Sequence, residues 1–166
     1  MKSLVVYYSK SGNTRRVAEE IARAVGGELE ELVEVGVKRS GALGFLRAGR
    51  DGMRGRASKI DAPKKRPADY DLLFIGSPVW GGNIVPAVRG YMTSADLASK
   101  PAAVFCTAGG ASVERTLATL HSLTPTSRVL GELAVLQGEL KSPEALSHRV
   151  ATWAKEMVAA AGAREK

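Results

Sequence analysis

The sequence contains one cysteine and two histidines among its 166 residues. A single cysteine, Cys106, cannot form an internal disulfide. His121 and His148 are distant from Cys106 and from each other along the chain, so no metal-ligand spacing occurs. We therefore expect no metal site. No lysine, arginine or histidine adjoins Cys106 to lower its pKa, which favours a small core residue over a reactive thiol.

Long apolar runs are also missing. No run approaches the roughly 20 residues that a membrane-spanning helix requires, and the apolar start of the chain, residues 2–8, is too short for a signal peptide. We therefore expect a cytoplasmic protein with no membrane span. A length of 166 residues predicts a single domain spanning 1–166.

Positive charge is concentrated in one segment. From Lys38 to Arg66 the sequence has ten lysines and arginines against two aspartates, a net charge of +8 where the whole protein carries +7. This segment is predicted to meet an anionic partner, either an acidic redox partner protein or a small anionic or quinone acceptor. Nucleic acid is disfavoured, because Phe45 is the only aromatic residue in the segment.

The same region, residues 37–67, is rich in glycine. Each glycine costs a helix about 1 kcal/mol relative to alanine, so we expect only partial order here. A weak helical face is predicted from Leu43, Leu46 and Met53, with Ser40 as its cap.

Five apolar segments alternate with amphipathic helical patterns. Four of them lack polar alternation, as do strands buried on both faces, while residues 28–35 alternate and fit a sheet edge. Ser112 and Ser142 are predicted to cap helices, and Pro143 is predicted to be the first residue of a helix. Gly26 is predicted to end a helix. This repetition predicts an α/β fold, a doubly wound parallel sheet in three layers. The predicted strands are residues 2–8, 28–35, 72–75, 102–106 and 129–136.

The first candidate site is the loop after the first strand. Ligands of open parallel sheets bind beyond the carboxyl ends of the strands. Backbone N–H groups at a helix start, with hydroxyl and amide side chains and no carboxylate, suit a phosphate monoester. An ordinary capped turn is the structural alternative, and the sequence has neither a Walker A loop nor a Gly-x-Gly-x-x-Gly motif. The residues are Ser9, Lys10, Ser11, Gly12, Asn13 and Thr14.

Two further loops leave predicted strand ends. The second places Trp80 between small residues, where it can stack on a flat ligand or, alternatively, fill the core. The third offers small residues and backbone amides, which equally suit close approach to a ligand or a tight turn. The second loop comprises Ser77, Pro78, Val79, Trp80, Gly81, Gly82 and Asn83, and the third Thr107, Ala108, Gly109 and Gly110.

Together the loops resemble those of the flavodoxin family. Residues 9–14 are similar to that family's phosphate loop, residues 77–81 to its first isoalloxazine loop, and residues 107–110 stand where its second isoalloxazine loop belongs. The resemblance covers nearly the whole chain. It implies a flavodoxin-like five-stranded parallel sheet in the order 2-1-3-4-5, with non-covalent FMN held by the residues of all three loops.

The resemblance also implies a redox function. The first hypothesis is an electron carrier in which FMN performs the chemistry, with no catalytic acid, base or nucleophile. The alternative is an FMN-dependent oxidoreductase, an NAD(P)H:quinone-type reductase acting on small acceptors. A third hypothesis, which the sequence disfavours, is a non-redox module that binds a phosphate ligand or nucleic acid. The chain departs from the family in its basic charge and in the lack of an aromatic residue in the third loop.

Overall fold

The apolar segments of the sequence form one parallel sheet. The computed structural model describes residues 1–36, 49–51, 53–97, 100–110, 112–124 and 129–163. Within these residues five strands, numbered along the chain, pair in the order 2-1-3-4-5, and each pair is parallel. The predicted fold class and strand order are therefore confirmed. The strands are β1 (Ser3–Tyr7), β2 (Glu28–Glu31), β3 (Leu72–Pro78), β4 (Ala102–Ala108) and β5 (Val129–Leu136).

Helices cover both faces of the sheet because the strands are apolar on both faces. Alternate residues of β1 enter different cores, Leu4 on one face and Val5 on the other. The Leu4 side contains Val88, and the Val5 side contains Ile21 and Trp153, all three from helices. No helix within the described ranges is long and apolar enough to cross a membrane. The helices are α1 (Asn13–Val25), α2 (Pro86–Ser94), α3 (Val113–Leu123) and α4 (Pro143–Ala163), with short 3-10 turns at Pro67–Asp69 and Glu139–Lys141.

The helix ends agree with the sequence signals at Gly26 and Pro143 but not at Ser112, and the cap at Ser142 stays a prediction. Gly26 ends α1 in a left-handed conformation with φ 65°, and Pro143 is the first residue of α4. Ser112 precedes α3 as predicted, but its side chain makes no capping hydrogen bond. Its φ of 71° is the reason, since capping side chains normally project from an extended backbone.

The edge strand is shorter than predicted. β2 ends at Glu31, and the chain beyond it pairs antiparallel with the far end of the basic segment. Val35 N–H donates to the Lys59 carbonyl at 3.0 Å, and Asp61 N–H donates to the Val33 carbonyl at 2.9 Å. This pairing fixes the return of the segment beside β2.

The segment itself is described only in part. Residues 49–51 and 53 have helical backbone, and residues 54–67 are described throughout. The predicted cap and most of the predicted helical face lie outside the described residues, as do three of the ten cations. These residues are Ser40, Leu43 and Leu46, and the cations Lys38, Arg39 and Arg47.

β3 and β4 meet at a glycine that leaves no room for a side chain. A Cβ on Gly76 would lie 2.0 Å from Cζ of Phe105, which is fully buried on the neighbouring strand. The Phe105 ring occupies the space that a side chain at position 76 would take. The centre of the sheet therefore requires glycine at this position.

We expect Gly76→Ala to lower the free energy of unfolding by about 3 kcal/mol, because the Phe105 ring must move within a packed core. Gly138→Ala is the matched control. Gly138 has φ −60°, and a Cβ there would meet nothing within 4 Å, so stability should stay within about 0.5 kcal/mol. Denaturant titration measures both, and equal effects of the two variants would contradict the assignment.

Candidate functional site

The carboxyl ends of β1, β3 and β4 meet at one edge of the sheet and enclose a cleft. Its volume is about 580 Å³, within the range of ligand pockets. Nine of the predicted site residues line it: Ser11, Asn13, Pro78, Val79, Trp80, Gly81, Thr107, Ala108 and Gly109. The other predicted residues belong to the same three loops but stand outside this lining: Ser9, Lys10, Gly12, Thr14, Ser77, Gly82, Asn83 and Gly110.

The first loop has the form of an anion cradle. Gly12 is the N-cap of α1 with φ 90°, a left-handed conformation that favours glycine. The first turn of α1 contains no acidic residue, so no carboxylate of that turn competes with an anion for its N–H groups. Oγ of Ser9 is buried and has no hydrogen-bond partner among the described residues. A buried hydroxyl of this kind fits a ligand that supplies the missing acceptor.

Thr14 joins the first loop to the third. It is buried, and its hydroxyl lies 2.8 Å from the hydroxyl of Thr107. One hydrogen of the pair makes this bond, which leaves the second hydroxyl hydrogen outside it. The two threonines therefore hold the loops together and keep one further donor at the cleft.

A tight turn shapes the second loop. Trp80 N–H donates to the Asn83 carbonyl at 2.9 Å, and Asn83 N–H donates to the Trp80 carbonyl at 3.2 Å. The two residues between them have positive φ, 57° at Gly81 and 74° at Gly82, as the paired glycines of such a turn require.

Two polar side chains brace this loop. Val85 N–H donates to Oγ of Ser77 at 3.1 Å across the loop, and Ile84 N–H donates to Oδ1 of Asn83 at 2.8 Å. Ser77 is fully buried. Both side chains thus contribute by positioning the backbone and Trp80.

Trp80 is half-buried and forms part of the cleft wall. Its ring meets Tyr8 edge to face, with centroids 5.4 Å apart and planes at 86°. Nζ of Lys10 lies 5.7 Å from the ring centroid. These contacts fix the plane of the indole from one side, so Trp80 both packs on the core and borders the cleft.

The third loop is tied to its neighbours through the backbone. Val79 N–H donates to the Thr107 carbonyl at 2.9 Å, and Gln137 N–H donates to the Ala108 carbonyl at 2.8 Å. Gly109 and Gly110 are exposed. Ala111, the next residue of the chain, lies outside the described residues.

Two groups of lining residues were missed by sequence reasoning. Gln137 and Leu140 follow β5, and the rule that parallel strands end at one edge would have identified them. Gly49, Arg50 and Met53 come from the basic segment and form a fourth wall. No motif marks them, because the wall depends on how the long crossover folds back over the second loop.

The comparisons with known proteins agree with this geometry. A sequence model described as flavodoxin matches residues 2–157. The chain belongs to the flavodoxin family. The structure also resembles solved members of this fold. A protein from Bacteroides eggerthii is 23% identical over 95% of this chain and 98% of its own, with a TM-score of 0.74.

Two other solved structures show the same likeness. A flavoprotein from Lactobacillus acidophilus in complex with FMN is 24% identical over 86% of this chain and 98% of its own, with a TM-score of 0.70. Flavodoxin 2 from Bacillus cereus is 19% identical over 95% and 98% of the two chains, with a TM-score of 0.57. At these identities the likeness shows a shared fold.

The cysteine and the histidines of this flavodoxin-family chain stand apart from the cleft chemistry. Cys106 is fully buried in β4, and burial raises the pKa of its thiol to about 12, with Glu132 and Glu114 acting in the same direction. Nε2 of His121 lies 3.0 Å from Glu132, and His148 is exposed on α4. Across the described ranges no group of three or more potential metal ligands occurs.

We expect Cys106 to resist thiol reagents in the native protein. A pKa of about 12 keeps the thiol protonated at pH 8, and the thiolate is the nucleophile. Absorbance after addition of an aromatic disulfide reagent should show no labelling in buffer and one thiol per chain in guanidinium. Rapid labelling without denaturant would mean that Cys106 is accessible.

Proposed function

We propose that this flavodoxin-family protein is an FMN-dependent oxidoreductase that passes electrons to small acceptors of the quinone type. The observation that carries the proposal is the fourth wall of the cleft. Gly49, Arg50 and Met53 add a side to the three loops that the family resemblance assigns to FMN. A fourth wall on the cofactor cleft supports binding of a small substrate between this wall and the bound cofactor.

The cofactor is FMN, as family membership and the chemistry of the first loop support. A phosphate dianion needs donors and the absence of carboxylates, and the start of α1 has both properties. The unpartnered hydroxyl of Ser9 and the spare hydrogen of the Thr14 and Thr107 pair add two candidate donors. The related Lactobacillus flavoprotein forms a complex with FMN.

In this proposal the residues of the chain bind FMN, orient its ring and shield it from solvent. When bound, FMN supplies the electron transfer, so no protein acid, base or nucleophile is required. Trp80 offers a flat face to the isoalloxazine ring. The turn at Gly81 and Gly82 holds that face in place, and Thr107, Ala108 and Gly109 border the same space.

The second candidate is the electron carrier of the sequence analysis, supported by the charge excess in one segment. Ion pairs with residues inside and outside the segment neutralise some of the charge of its described part. Nζ of Lys65 lies 2.6 Å from Glu28, Arg66 pairs with Asp69 at 2.8 Å, and Arg56 lies 3.8 Å from Asp51. These pairs reduce the charge available to an acidic protein partner, which favours the small-acceptor proposal.

Removing the unpartnered hydroxyl tests the cofactor site. We expect Ser9→Ala to weaken FMN binding about tenfold or more, since a hydrogen bond to a charged group contributes about 1.5–3 kcal/mol. Riboflavin, which has no phosphate, should bind the variant and the wild type equally. Fluorescence titration of the apoprotein measures both affinities.

Ser77→Ala is the contrasting control. Its hydroxyl accepts the Val85 N–H inside the protein, so the loss should appear as lower stability of the apoprotein, by about 1 kcal/mol. Ser9→Ala should leave that stability unchanged. If Ser9→Ala bound FMN as tightly as the wild type, the phosphate of FMN would not bind at Ser9.

Reoxidation kinetics test the oxidoreductase itself. Photoreduced holoprotein is mixed anaerobically with naphthoquinone, and recovery of the flavin absorption is followed in a stopped-flow instrument. A substrate that binds in the cleft before electron transfer gives a rate that saturates with quinone concentration. Photoreduced free FMN is the control and gives a linear dependence. If the reoxidation rate of the holoprotein rose linearly with quinone concentration, the result would favour the electron carrier.

A further inference from the structure

The fourth wall of the cleft carries a cation that the three predicted loops do not explain. Arg50 is the only charged residue among the described residues that line the cleft, and its side chain is exposed. No carboxylate in the described part of the chain lies within ion-pair distance of it, whereas neighbouring Asp51 pairs with Arg56. The cleft thus contains one positive charge and, among its described lining residues, no negative one.

The wall that holds Arg50 is anchored closely on the second loop. A Cβ on Gly81 would lie 2.2 Å from the carbonyl oxygen of Gly49, so the two backbones touch. Arg54 N–H donates to the Arg50 carbonyl at 3.0 Å, which continues the helical turn of the wall. The position of Arg50 is therefore set by backbone packing and is independent of its own side chain.

Further along, the segment is fixed to α2. Ser58 N–H donates to the Pro86 carbonyl at 3.0 Å, and a Cβ on Gly90 would lie 2.3 Å from the Ser58 carbonyl oxygen. Gly55, with φ 61°, lies against the guanidinium of Arg89. Contacts made by Gly49 and by Ser58 thus keep the described part of the wall, residues 49–51 and 53–58, at the cleft.

The chemistry of the wall selects a class of ligand. Met53 is 66% exposed and lines the cleft beside Arg50, which pairs an apolar surface with a cation. The phosphate of the cofactor already has its donors at the first loop, whereas Arg50 stands on the wall that packs against the second. An arginine so placed suits a carboxylate, sulfonate or phosphate group on a second, planar molecule.

We propose that Arg50 is the specificity-determining residue of the cleft and recognises the anionic group of a small aromatic or quinonoid substrate. This inference rests on the proposed function for the identity of the site. It assigns the substrate class: a flat apolar body that bears a negative charge. The cation at position 50 then favours anionic over neutral acceptors.

Binding of a redox-inert probe tests the inference separately from turnover. The probe is naphthalenesulfonate, and naphthalenemethanol is its neutral counterpart. Each is titrated into the oxidised holoprotein, and the change in flavin absorption gives the dissociation constant. The variants are Arg50→Gln, Arg50→Lys and the control Arg54→Gln, an exposed arginine one helical turn away that does not line the cleft.

We expect Arg50→Gln to weaken naphthalenesulfonate binding about tenfold, the scale of one charge-assisted contact in a partly exposed site. Arg50→Lys should retain most of the affinity. Arg54→Gln should change it less than about twofold, and the neutral probe should bind all four proteins alike. The FMN affinity of every variant should equal that of the wild type.

Two results would overturn the inference. Equal losses in Arg50→Gln and Arg54→Gln would mean that only the overall field of the segment matters. Weaker FMN binding in Arg50→Gln would make Arg50 a cofactor contact. Arg50-dependent probe binding by a holoprotein that fails to reduce quinones would refute the oxidoreductase while supporting the anion site.

Discussion

The parallel alignment of β1, β3 and β4 is the constraint on which the site depends. Because all three strands run the same way, their carboxyl ends bring residues 9–14, 77–83 and 107–110 to one edge of the sheet. Parallel strands must be buried on both faces, and the two apolar cores meet that requirement. The loops can then be polar and rich in glycine, since the sheet beneath them supplies the stability. The buried bond between Thr14 and Thr107 joins two of the loops directly.

Close backbone contacts made by glycines bring the long crossover to the site. At Gly81 and Gly90 a side chain would collide with the carbonyl oxygens of Gly49 and Ser58, respectively. These contacts let residues 49–51 and 53–58 lie directly on the second loop and on α2. Composition marks the segment that contains them as weakly helical. Tertiary packing, rather than helix propensity, gives these described residues their place.

Much of the fold and part of the site could be predicted from the sequence. Buried parallel strands read as continuous apolar runs, so the runs containing Leu4, Phe74 and Val104 identified the centre of the sheet. The edge was harder, because residues 33–35 alternate like a strand but pair with residues 59–61 instead of extending β2. The loops were found because strand ends are functional positions in this fold. Arg50 was not found as a cleft residue, since no local pattern records which part of a crossover returns to the sheet edge.

Ion pairs neutralise some cations of the basic segment and leave others without a partner among the described residues. Lys65 and Arg66 lie at the end of the basic segment, where the chain returns to the sheet. Lys65 pairs with Glu28 of β2, and Arg66 pairs with Asp69 of the adjoining turn. These pairs neutralise the two cations and help to hold the end of the segment in place. Such pairs near the surface add little to stability, but they also cancel the far field of those cations. The wall residue Arg50 has no such partner in the described part of the chain. Within the described lining of the cleft, Arg50 therefore keeps a charge that no ion pair cancels, and this charge acts on a ligand bound there.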